Sequence, residues 1–381
     1  MRSWFAIPVL AVTALLGGCG FWGGETEVEP SELVDFDAEK QVEVLWSTQV
    51  GEGPGRMYHQ FVPAVGDTNL FAADREGEVV ALSRDSGRKV WDVELDMTLS
   101  GGIGAGFGVV VVASEDGEVV VLDSATGEEL WRARASSEVI AQPQVNAELV
   151  VVQVINGQVS AFDRVTGEHR WTFDSQIPQL SLRGTSAPLV TADATLTGFA
   201  NGKLVAIDNA GGNAVWEQRI ALAEGRSELE RIVDIDGRPL IFEGLIYVSS
   251  YQGRLVALNP RGAQMVWAQE FSSYRGLAAG FGNIYAVSAD DGIGALDAGS
   301  SASVWHQDAL RYRRLTSPAT LGDAVVVGDA EGYLHFVSQV DGRFVARYNF
   351  DSSGIYSDPV SVDDTLYVFS NDGKLAALKL N

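Results

Sequence analysis

One pattern recurs along the chain, and it restricts the fold more than any other feature. A Gly is followed by an apolar strand, then Asp or a substitute, then a turn with Gly, then Trp. It runs from Gly77 to Trp91, Gly117 to Trp131, Gly157 to Trp171, Gly202 to Trp216 and Gly253 to Trp267. A sixth copy, Gly292 to Trp305, is one residue shorter; a seventh, from Gly332, carries Ala346 in place of Trp; an eighth starts at Gly373 and meets the C-terminus. A fixed period of this size is the mark of a repeat architecture.

Each copy reads as a hairpin, with alternating apolar and polar residues around a turn of Asp, Ser, Thr or Gly. Another apolar run, such as Val109 to Val112 or Leu366 to Phe369, precedes each Gly. Pro63, Pro143, Pro188, Pro239, Pro318 and Pro359 each stand fourteen residues before the Gly of their copy, with Ile103 and Ala278 in the other two slots. Proline cannot donate to a ladder, so it marks an edge strand. Four strands per repeat of about 40 residues is the arithmetic of a propeller blade. The expected fold is all-β, an eight-bladed β-propeller of four-stranded antiparallel blades over residues 42–381.

The eighth copy lacks an outer strand. Val42-Glu43-Val44-Leu45-Trp46 is a spare one, with Trp46 in the repeat slot. Pairing it with the C-terminal blade closes the ring and removes its open edges. The seven repeat tryptophans are then expected to pack between blades. Each buries about 150–250 Å², an upper bound of roughly 4–6 kcal/mol. Packing therefore accounts for them without a stacked cofactor.

The connections between blades are unequal. Counted from Trp to the next Pro slot, five span 11 to 13 residues, whereas Trp46 to Pro63 and Trp171 to Pro188 span 17 and Trp216 to Pro239 spans 23. All leave the same face of a propeller, and the last two enter adjacent blades. Long loops on a rigid scaffold are where binding residues concentrate. Leu180 and Leu182 lie two apart and point the same way if extended. With Arg183 they suit an apolar contact with a polar rim, or they tuck back to hold the loop. Asp234 and Asp236 suit a basic partner, a turn cap or a calcium ion, although a calcium loop needs more oxygen ligands at regular spacing.

The N-terminus reads separately. Arg2 and the mostly apolar Trp4 to Leu16 form a signal peptide, residues 1–18, too short to span a bilayer. Residues 19–41, which carry Gly, Glu, Asp and Pro, read as a flexible tether, with Phe21, Trp22, Leu33 and Phe36 as its large apolar exceptions. The formal net charge of −24 argues against DNA or RNA, which needs clustered Lys and Arg.

The repeat resembles the quinoprotein-type (PQQ-like) propeller repeat. Leu16-Gly17-Gly18-Cys19 resembles a bacterial lipobox, in which the Cys is acylated, and Gly20 resembles outer-membrane sorting. Together with Pro178 to Pro188 and Arg231 to Asp236, the chain resembles the BamB family of outer-membrane assembly lipoproteins. The resemblance implies a non-catalytic scaffold without a cofactor or metal, anchored through Cys19 on the periplasmic side of the outer membrane. It implies contact with the periplasmic POTRA domains of BamA through Leu180, Leu182, Arg183, Asp234 and Asp236, and aid to nascent β-barrel proteins. Gly237-Arg238 departs from the family's usual small polar residues and alters the charge of that patch.

Two other readings compete. A quinoprotein enzyme shares the repeat, but such enzymes resemble one another in longer chains, calcium ligands and often a disulfide. Cys19 is the sole cysteine, and His59, His169, His306 and His335 are dispersed without a catalytic signature. A ligand sensor would use the central channel, whose expected Pro, Ala and Ser lining offers few convergent polar groups.

Overall fold

The computed structural model describes residues 28–55, 61–178, 180–182 and 185–381. Cys19, His59 and Arg183 lie outside them. Eight four-stranded antiparallel sheets are arranged as blades, and no helix occurs among the described residues. We number blades 1 to 7 from the sheet that begins at Ala64. Blade 8 takes Val360–Val362, Thr365–Phe369 and Lys374–Leu380 from the C-terminus and Val42–Gln49 from the N-terminus. The closing pair runs from Val42 opposite Leu380 to Gln49 opposite Lys374, with Trp46 opposite Ala377. The expected ring closure is therefore observed.

Within a blade the first strand lies nearest the axis and the fourth at the rim. Six inner strands start one residue after the expected prolines, at Ala64, Gln144, Leu189, Leu240, Ala319 and Val360. Where Ile103 replaces Pro, the inner strand lengthens to Leu99–Gly106, since Ile keeps the amide that Pro lacks. The second and third strands of neighbouring blades form the core, as where Tyr247, Leu255 and Ala257 of blade 5 meet Ile284, Ala286 and Leu296 of blade 6. The antiparallel order gives the disc two faces. One carries the connections from blade to blade and the turns between second and third strands; we call it the loop face. The opposite, turn face carries the other hairpin turns.

Each repeat tryptophan ties its blade to the next. The indole Nε1 of Trp46 donates to the Arg84 carbonyl at 2.7 Å, Trp91 to Ser124 at 3.1 Å, and Trp131 to Arg164 at 2.9 Å. Trp171, Trp216, Trp267 and Trp305 bond Asn209, Pro260, Ala298 and Gln339 in the same way. Every acceptor lies in the turn between third and fourth strands of the following blade. At five of the seven turns a glycine packs on the indole face, with Ala263 and Ser301 holding the same left-handed slot at the other two. At one of the five, a Cβ on Gly127, whose φ is +77°, would come within 2.8 Å of Trp91. Only Gly fits both that conformation and that approach.

The expectation of a free tether fails for its second half. Ser31 to Lys40 cross the rim of blade 7 as a strap. The Ser31 amide donates to the Arg311 carbonyl at 3.0 Å, and the Glu39 and Lys40 amides both donate to Val345 O at 3.0 Å. Phe36 stacks on Phe344 at 5.3 Å, with the Arg347 guanidinium over it at 5.0 Å. Arg347 Nη1 donates to Val34 O at 3.0 Å, Arg343 forks onto Glu39 at 2.7 and 2.8 Å, and Lys40 pairs with Asp323 at 2.6 Å. The physical reason is that Leu33 and Phe36 find an apolar seat around Ala309 and Phe344. Burying them outweighs the freedom of a disordered chain.

Candidate functional site: two adjacent loops on one face

The two long connections meet as expected. One runs from blade 3, whose outer strand ends at Asp174, to Leu189 of blade 4; the other runs from Arg219 of blade 4 to Leu240 of blade 5. Ser186 Oγ donates to Gly237 O at 3.1 Å, joining them. Beneath them lies a cavity of about 10 Å³, bounded by Ser181 and Thr185 of the first loop and Asp234 and Ile235 of the second. That is room for about one water.

The second loop is built in two parts. Its outer part is a tight turn: Glu230 Oε2 accepts the amides of Arg226 at 2.6 Å and Ser227 at 3.1 Å, while the Glu230 amide donates to Ser227 Oγ at 3.2 Å. This is the reciprocal arrangement of a capping box. Those contacts hold the Glu230 carboxyl below its usual range. The inner part, Ile232 to Ile235, plunges into the disc, with all four residues buried. It is pinned by the Tyr251 amide donating to Asp234 O at 2.8 Å. Gly237 then passes so close to the Arg275 carbonyl that a Cβ would come within 2.3 Å of it. Packing therefore requires the glycine of the Gly237-Arg238 pair, while nothing in the structure explains Arg238.

The candidate residues separate by depth. Leu180 is 44% exposed, whereas Leu182 is half-buried. Asp234 is 1% exposed and Asp236 is half-buried. The expectation that Asp234 meets a basic partner directly is therefore corrected: its carboxylate lies under the first loop, where the Leu182 amide favours its charged form. Burial, followed by the neighbouring Asp236 charge, raises the Asp234 carboxyl to about 9. Burial also raises Asp236, to about 7, against the hydrogen bond from Asp234 and the charge of Arg275. Two carboxyls this close, both desolvated, share a proton more readily than they carry two charges.

Sequence reasoning missed other exposed groups of the second loop. Leu229 is 68% exposed and Leu222 53%. Leu222 lines an open cleft of about 620 Å³ together with Glu224, Glu230, Gln252, Arg254 and Phe271. Apolar residues amid the polar run Glu224 to Arg231 were the available signal. No group of three or more His, Cys, Asp or Glu placed to hold a metal occurs among the described residues.

A family model described as outer membrane protein assembly factor BamB matches residues 29–97 and 75–307. The BamB of Pseudomonas aeruginosa is 52% identical over 377 residues, covering 99% of each chain. The crystal structure of BamB from Moraxella catarrhalis is similar with a TM-score of 0.82 and 26% identity, over 89% of this chain and all of that one. A quinohemoprotein alcohol dehydrogenase from Comamonas testosteroni, at 14% identity and a TM-score of 0.69, covers 89% of this chain and 76% of its own. It shares the propeller fold.

Proposed function

The chain belongs to the family of outer-membrane protein assembly factor BamB, and from that premise we propose that it is a non-catalytic scaffold acting in outer-membrane protein assembly. Its loop face grips the periplasmic POTRA domains of BamA. The acylated Cys19 anchors it at the periplasmic side of the outer membrane, and it helps nascent β-barrel proteins fold and insert.

The observation that carries this reading is the joining of two of the three long loops on one face, with Leu180, Leu222 and Leu229 exposed on a rigid base. Apolar anchors with a polar rim are what a partner interface requires. Leu180, Leu182 and Arg183 serve as the contact. Asp234 and Asp236 act from beneath, holding the first loop in shape rather than meeting the partner.

The test is co-purification with BamA of wild type and of a Leu180→Ala, Leu182→Ala, Arg183→Ala variant, each checked by circular dichroism. A folded variant that loses BamA supports the loop as the grip. A folded variant that retains BamA places the grip elsewhere, and a wild type that never binds BamA refutes the proposed partner.

A further inference from the structure

The strap carries the chain from one face of the disc to the other. At Lys40 and Glu39 it lies on the turn face, against Asp323 and Arg343 beside the hairpin turns of blade 7. It passes over the rim at Phe36 and Val34, against Phe344 and Arg347. It reaches the loop face at Ser31, whose carbonyl accepts from Arg313 Nη1 at 2.9 Å and whose amide donates to Arg311 O. Arg311 and Arg313 are themselves fixed on that face: Arg311 pairs with Asp290, and Arg313 Nε donates to the buried Asp329 at 2.8 Å.

The closing strand begins at the position of a hairpin turn in blade 8, where Gln41 and Asn381 exchange backbone hydrogen bonds at 3.1 and 2.9 Å. A chain leaving the disc there would leave from the turn face. Ten docked residues transfer the exit to the opposite face, between blades 6 and 7. They also shorten the leash. Cys19 lies 12 residues before Ser31 but 23 before Val42. At about 3.5 Å per residue this is a reach of roughly 40 Å instead of roughly 80 Å.

We propose that the strap sets how the disc stands at the membrane, with the loop face at the blade 6–blade 7 sector turned towards the bilayer and the turn face away from it. This rests on the reading of Cys19 as the acylated anchor. The two long loops lie on the same face, a quarter turn or more around the ring. A partner held by them sits in the layer next to the membrane.

Fluorescence quenching by nitroxide-headgroup lipids in zwitterionic phospholipid vesicles tests this with the full acylated chain. One label goes on Ser352→Cys, exposed on the loop face between blades 7 and 8. The other goes on Val340→Cys, exposed on the turn face of blade 7. Several-fold stronger quenching at position 352 is expected; equal quenching, or stronger quenching at 340, overturns the orientation. A Phe36→Ala, Glu39→Ala variant changes only the strap, and its labels are expected to be quenched alike. A preserved difference there would show that the strap is not the orienting element. Acylated protein that fails to float with the vesicles refutes the anchor reading itself, whereas floating protein with equal quenching refutes only the orientation.

Discussion

Phe336 and Ala346 stand directly opposite each other in blade 7, the reverse of the pairing in the other blades. Elsewhere the third strand offers a smaller residue and the rim strand a Trp, as in Ala81 opposite Trp91 and Ala377 opposite Trp46. The exchange has a cause in the closure. Each Trp uses the turn between third and fourth strands of the next blade for its carbonyl, and five of the seven also pack on a glycine there. After blade 7 that turn is the break between Asn381 and Gln41. A Trp at 346 would have neither, and the bulk moves inward to Phe336, which is fully buried.

Ala346→Trp is therefore expected to destabilise the fold by overpacking, by about 1–3 kcal/mol. Adding Phe336→Ala should recover part of the loss. Urea unfolding followed by tryptophan fluorescence measures both; a single variant as stable as wild type would contradict the compensating pair.

The tryptophan hydrogen bonds are separable from tryptophan packing. Trp171→Phe removes the bond to Asn209 O and keeps most of the ring, so it should cost about 0.5–1.5 kcal/mol. Trp171→Ala should cost about 3–5 kcal/mol. Equal losses in chemical unfolding would mean that the bond has no separate share.

The strap is expected to be part of the folded unit. Phe36→Ala removes the stack on Phe344 and the seat of Arg347, and should cost about 1–3 kcal/mol. Hydrogen exchange gives an independent reading. The Glu39 and Lys40 amides should be protected in wild type and exchange freely in the variant.

His335 gives the fold an acid sensitivity. It is fully buried, with Nε2 at 2.9 Å from Asp329 Oδ2 and Nδ1 accepting from Arg347 Nε at 3.2 Å. Burial lowers its pKa below the ordinary 6.5, despite the hydrogen bond and charge of Asp329; the Arg347 and Arg313 charges lower it further. Below pH 6.5 the unfolded chain takes up a proton that the native state resists, so stability falls as pH drops. Asp329, held below its usual range, adds its own loss only at more acid pH. His335→Gln should flatten the decline between pH 7.5 and 5 in urea titrations; an unchanged slope would assign it to another group.

The Asp234–Asp236 pair has the opposite sign. Both carboxyls are raised, so the native state holds protons that the unfolded state has lost. Stability should fall as pH climbs from about 4 towards 9. Asp234→Asn keeps an acceptor facing the Leu182 amide and removes the carboxyl that must hold a proton in the native state. Its melting temperature should rise relative to wild type at pH 8 and not at pH 4. A difference independent of pH would show that the pair carries no titrating charge there.

How much was legible follows from what a sequence encodes locally. Blade number, strand order, ring closure through Trp46 and the two neighbouring loops all follow from spacing and from the alternation of apolar residues. These depend on contacts close along the chain or repeated at a fixed period. Composition suggested a free tether for residues 31–40, and it was wrong because the seat for Phe36 is built by Ala309 and Phe344, more than 270 positions away. The candidate residues were found by loop length and resemblance, but not their depth. Asp234 and Leu180 are both loop residues by pattern, yet one lies buried under the first loop and the other faces solvent. Tertiary structure alone decides this, because burial is a property of the neighbours that the closed ring brings together, and those neighbours leave no period in the sequence.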